Sequence, residues 1–167
     1  MDVNWRDSVW QQFGAAIDML DDAIGFCPDH LWTTVVWKDI EDARFGQFWC
    51  VAFHTLSWLD LFLTGSEEGF VSPSPFSRET LPEQPYTQAQ LRAYLDQCRS
   101  KCQAIITTLT DEQAQQRCVF RWMEPSFLEL QLYSMRHVQE HAAQLSLVLG
   151  HHDVTGFDWI AHARGVA

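Results

Sequence analysis

Apolar residues at Val9, Phe13, Ile17, Leu20 and Ile24 recur at steps of three and four, which marks one face of a helix and leaves Asp18, Asp21 and Asp22 off it. Pro28 stops this first helix, and Cys27 to Phe45 reads as a connection with one helical turn around Asp29 to Trp32. The spacing predicts a second helix over Gln47 to Leu63, with Val51, His54, Trp58 and Leu61 on one stripe and Gly65 at the place of a C-terminal cap. Ser66 to Tyr86 carries Pro73, Pro75, Pro82 and Pro85, so it continues neither a helix nor a central strand and reads as a long crossover. Thr87 with Gln90 forms a capping-box pattern that opens a third helix, whose seam runs through Leu91, Leu95, Cys98, Cys102, Ile105 and Leu109. Ser126 with Glu129 repeats the pattern before a fourth helix that runs to Gly150, with Phe127, Leu130, Ser134, His137, His141, Leu145 and Val148 inward. A short helix around Asp158 to His162 is expected in the tail.

Four such helices without strand alternation predict an all-α fold, a four-helix bundle with a long crossover between helices two and three, built as a single domain over residues 1–167. Hydrophobic residues make up 47% of the chain and aromatic residues 13%, enough apolar material to rule out a disordered protein. The formal charge of −11, spread along the chain, speaks against nucleic acid and anionic membranes as partners. Five cysteines, an odd number lying mostly in apolar segments, fit a reducing compartment, and no stretch approaches a membrane span, so the expected location is the cytoplasm. Trp5, Trp10, Trp37, Trp49, Trp58 and Trp122 exceed what one small core needs, and the surplus aromatic surface is expected to support a homodimer.

The candidate chemistry lies on the inner stripes. His137 and His141 are four residues apart, so on a helix they stand one turn apart and about 40° around the axis, a spacing that lets two imidazoles share one metal ion. His54 interrupts the apolar stripe of helix two and also faces inward. Three histidines meeting in a bundle leave coordination positions open for water or substrate, the arrangement of catalytic sites. Imidazole ligands suit zinc first, with nickel or iron also possible. Glu140 is the candidate general base if the site hydrolyses something, but it stands about 60° from His137 around the helix and reads first as a solvent-facing residue; Tyr133 and Gln144 are candidates to orient an imidazole. Set against this, a histidine on an apolar face is commonly a hydrogen-bonded core residue. Cys98 and Cys102 read as small core residues, and Arg117, Arg121 and Arg136 as surface arginines or as a clamp for a substrate carboxylate at the bundle mouth.

The segments FHTLSWLDLFLTG and YSMRHVQEHAAQLSLVLG, in this order, resemble the DinB-like (DinB/YfiT) superfamily of four-helix-bundle metalloproteins. The resemblance covers most of the chain and implies an up-down-down-up bundle with its long link between helices two and three. It also implies a three-histidine metal site at His54, His137 and His141. Members with an assigned reaction include transferases and isomerases that use a low-molecular-weight thiol, whose thiolate the metal would activate. The resemblance therefore implies a small-molecule substrate and a thiol-dependent transfer or isomerisation, with hydrolysis at the same open position as the other enzymatic outcome. The rival reading is a non-catalytic binding module whose metal is structural or absent.

Overall fold

The computed structural model describes residues 4–165. Helix α1 spans Trp5–Phe26, α2 Phe48–Thr64, α3 Gln88–Thr108, α4 Asp111–Gln115 and α5 Phe127–His151, with single 3-10 turns at Asp29–Leu31 and Ala43–Gly46. The predicted signals act where the sequence puts them. Thr87 and Gln90 close a full capping box on α3, the Ser126 hydroxyl accepts from Glu129 N at the start of α5, and Gly65 ends α2 with φ +77°. One short helix, α4, lies outside the expected set. Its Thr110–Gln113 capping box is complete, but five residues are too few to show a periodicity.

α1 packs on α3 and α5, and α2 packs on the same two helices, so α1 and α2 stand on opposite corners of a four-helix square. Side-chain pairs give the directions. Asp21 meets Arg92 and Asp18 meets Arg99, which makes α3 antiparallel to α1. Asp60 meets both Tyr94 and Lys101 in α3, and Leu63 lines a cavity with Ile105, so α2 and α3 run parallel. His54 faces His137 while Phe62 O accepts from Gln131, so α5 runs antiparallel to α2. The order is up-down-down-up. Parallel neighbours joined in sequence require a crossover the length of the bundle, which is the work of the proline-rich stretch between α2 and α3.

α2 is apolar on nearly all sides and is correspondingly buried all round. Its polar residues are satisfied: Thr55 Oγ1 donates to Val51 O at 2.7 Å, and the Asp60 carboxylate takes Tyr94 Oη at 2.9 Å and Lys101 Nζ at 2.6 Å. Its first turn is capped by the preceding connection, where Phe48 N donates to Thr34 O and Trp49 N to Trp32 O. Gly46 makes this possible, because a Cβ there would stand 1.9 Å from Trp37 O.

The helix expected around Asp158 to His162 does not form. That stretch has no regular secondary structure, and the chain there lies along α1: Ala161 O accepts from Gln12 Nε2, and just beyond it Ala163 N donates to Gln11 O and Arg164 N to the Asp18 carboxylate.

Candidate metal centre

The burial of α2 leaves three residues short of full enclosure: Thr64 at its end, and His54 and Trp58 one turn apart. The pair forms the outward edge of an otherwise closed helix. Opposite it, α5 brings His137 and His141. His54 Nε2 lies 3.2 Å from His137 Nε2, and His141 Nε2 lies 3.0 Å from the same atom. One ligand nitrogen from each ring falls within 4.8 Å of the other two. Among the described residues no fourth His, Cys, Asp or Glu joins the group.

These distances have a chemical meaning. A ring nitrogen of neutral imidazole either donates or presents a lone pair, so one N–H···N bond can satisfy two of the three Nε2 atoms and leaves the third without a matched partner, whereas a cation between them would take all three lone pairs. Two nitrogens bound tetrahedrally to one zinc ion at 2.0–2.1 Å stand about 3.3–3.4 Å apart, close to the spacing found here. The protonation states agree. Burial pulls the His54 imidazole down to about 4 and the His137 imidazole to about 3, with neighbouring positive charge as the lesser cause, and burial lowers His141 as well. All three are neutral at pH 7, the protonation state in which an imidazole can take up a metal ion.

Two further residues fix His141. Its Nδ1 lies 2.8 Å from Gln144 Oε1, so Nδ1–H donates to the amide oxygen and the lone pair is left on Nε2, toward the other rings. Trp37 stacks obliquely on the same ring, with centroids 5.8 Å apart. His137 has a buried Nδ1 with no partner among the described residues, as has the hydroxyl of Ser134 one turn earlier in α5. Its Nε2 is the atom that both other rings approach. The residues present fit a divalent ion held by three imidazoles.

Residues 43–145, a stretch that holds α2 and the histidine-bearing half of α5, match the family model of the DinB superfamily. The chain belongs to the DinB superfamily. Its fold also resembles the crystal structure of a DinB-like protein, YjoA, from Bacillus subtilis, with a TM-score of 0.63 over 94% of this chain and 99% of that one. Identity between the two is 16%, so the likeness is one of fold. A search of curated proteins gives no match.

In this DinB superfamily member two cavities open beside the histidines and share His54 and Trp58. One, of about 340 Å³, is walled by Phe62, Trp122, Tyr133 and His137 and is mainly apolar. The other, of about 170 Å³, runs under the crossover past Cys50, Ser57 and Arg78. Tyr133, expected near the imidazoles, is a wall of the first. Glu140 is exposed and lines a different groove with Gln12 and Trp159 on the α1 side. It meets the site only through its charge, which favours protonation of His141.

The candidate arginine clamp lies elsewhere too. Arg117 pairs with Glu124, Arg121 is exposed, and Arg136 shares the groove of Glu140. The arginine at the site is Arg78, which the sequence reading missed because it sits in a proline-rich connection with no periodicity to place it. Cys98 and Cys102 are buried core thiols whose pKa values burial raises, as the reading of them as small hydrophobes requires. No helix is long and apolar enough to cross a membrane among the described residues.

Proposed function

We propose that this protein is a metal-dependent enzyme in which His54, His137 and His141 hold a divalent ion, zinc first and nickel or iron next, for chemistry on a small molecule. The observation that carries this reading is the meeting of three Nε2 atoms, without a fourth ligand among the described residues, at the edge of two cavities. A structural zinc site is closed by four protein ligands, whereas three leave a position for an exogenous group. When bound, the ion supplies a Lewis acid that lowers the pKa of a thiol and so holds a sulfur nucleophile at neutral pH.

The protein's own residues have separable parts in this. His54, His137 and His141 supply neutral lone pairs, and Gln144 keeps His141 in the tautomer that directs Nε2 inward. Trp58, Phe62 and Trp122 keep water from one side of the site and offer an apolar surface to a substrate. All five cysteines are buried, and Cys50, which lines the cavity beside His54, has its thiol pushed up to about 12 by burial, so it stays protonated at neutral pH. The sulfur comes from a low-molecular-weight thiol, and the reaction class is thiol transfer or isomerisation. Glu140, outside both cavities, has no part in it.

The experiment is a panel of electrophilic substrates assayed with small thiols on zinc-, nickel- and iron-loaded protein, beside His137→Ala. The reading expects a metal- and thiol-dependent activity that His137→Ala abolishes while the helical circular dichroism persists. Activity unchanged in a folded His137→Ala variant would overturn it.

A further inference from the structure

The crossover between α2 and α3 places one cation beside the histidines. Arg78 Cζ stands 4.0 Å from the centroid of the Trp58 ring, and Arg78 Nη1 donates to Ser57 O at 2.9 Å. That is one of five guanidinium N–H groups, and it is the one hydrogen bond Arg78 makes among the described residues. The other partly buried cations, Arg6, Arg44, Arg99 and Lys101, each pair with a carboxylate, and Arg78 does not. Glu79 lines the same cavity without pairing with it, and Glu67 and Asp60 act on it only at longer range. Burial draws its pKa below the ordinary guanidinium value, so the charge is partly desolvated, and no carboxylate stands within ion-pair distance of it among the described residues.

On the other side of Trp58 the surroundings change character. Trp122 and Tyr133, 48% and 37% exposed, wall the apolar cavity with Phe62, and His54 borders both spaces. Trp58 and His54 are common to both spaces: Arg78 lies over the Trp58 ring, and Trp122 packs edge-on to that ring at 5.4 Å. A molecule spanning the site meets a positive group at one end, the histidines at the middle and an aromatic wall at the other end.

We propose that Arg78 is the specificity-determining residue of this site, that it binds a carboxylate, and that the natural substrate therefore carries one carboxylate and an apolar body seated against Trp122 and Tyr133. A guanidinium matches a carboxylate in a bidentate geometry, and a single cation in a chain of net charge −11 balances one negative charge rather than the two of a phosphate monoester. The proposal rests on the enzymatic reading for the reacting position at the histidines. The recognition of the two ends does not depend on a metal.

The test uses 4-phenylbutyrate and its neutral amide, 4-phenylbutanamide, titrated into the full chain by tryptophan fluorescence and calorimetry, first metal-free and then zinc-loaded. The metal-free wild type is expected to bind the acid at least tenfold more tightly than the amide, and Arg78→Gln to bring the two affinities together. Arg78→Lys, which keeps the charge, restores part of the preference and covers the case in which Arg78→Gln does not fold. Trp122→Ala weakens both probes by a similar factor and leaves their ratio in place. Equal affinities for acid and amide in the wild type, or a preference that survives Arg78→Gln, overturn the proposal. A preference for the acid in a protein that takes up no metal sinks the enzymatic reading and leaves the carboxylate site standing. Metal uptake with no preference does the reverse.

Discussion

Gln144 holds His141 from behind: its Oε1 lies 2.8 Å from His141 Nδ1, one turn along α5, and thereby settles which nitrogen of that ring faces His54 and His137. Second partners of this kind set the orientation and basicity of a metal-binding imidazole. Gln144→Leu is expected to weaken zinc affinity by about 10–100-fold while leaving the thermal stability of the metal-free protein close to wild type. Competition titration against a chromophoric chelator measures this. Unchanged affinity would mean that the tautomer is fixed by other means.

The lowered pKa values of the histidines predict the direction of the pH response of the metal-free protein. His54 near 4 and His137 near 3 lie below 6.5, the value for an exposed imidazole, so between these limits the unfolded chain binds more protons than the folded one. Their contribution to stability is complete above pH 6.5 and is lost as the pH falls toward 3. Thermal melts from pH 7 to pH 4 should therefore show a steeper drop in Tm for wild type than for His137→Leu, which lacks one of these groups. Parallel Tm curves would contradict the assignment of buried, neutral imidazoles.

Trp37 reaches His141 because its main chain lies against Gly46, where no Cβ fits. Gly46→Ala must push the 32–37 segment away from the start of α2, breaking the pairing of Val36 N with Gly46 O and freeing Trp37 from the imidazole. A loss of stability of about 1–3 kcal/mol, the range of an overpacked site, is expected, together with a weaker metal site. Chemical denaturation and the chelator titration read the two effects separately, and wild-type behaviour in both would remove Trp37 from the account.

Asp60 is nearly enclosed and accepts from both Tyr94 and Lys101. Asp60→Ala leaves the phenol and the ammonium without their partner and should lower stability by about 2–3 kcal/mol, the scale of hydrogen bonds to a charged group. Urea unfolding measures it. A change near zero would mean that water replaces the carboxylate without cost.

The bundle was legible because its signals are local and repeated. Steps of three and four, the capping pairs at Thr87 and Ser126, and Gly65 mark the ends and inner faces of the long helices without reference to anything distant. His137 and His141 were legible for the same reason, since four residues on a helix is a geometric statement. His54 needed a further step, the pairing of α2 with α5, which an unusually apolar helix dictates by having to be surrounded.

What escaped was set by contacts between segments far apart in sequence. Arg78 lies in a connection where proline removes all periodicity, and only the folded chain brings its guanidinium over Trp58. Glu140, by contrast, was legible: its offset of about 60° from His137 around the helix reads as solvent-facing, and it is exposed in the α1 groove. The short helix expected around Asp158 to His162 is absent, and the chain there is held by bonds to α1.

The most direct measurement is the metal content of untagged protein, by elemental analysis after loading and gel filtration, for wild type beside His54→Ala, the ligand contributed by the other helix. About one divalent ion per wild-type chain is expected, with most of it lost in His54→Ala and both proteins helical. A wild type that retains no metal, or a His54→Ala protein that retains a full equivalent, would contradict the three-histidine metal centre.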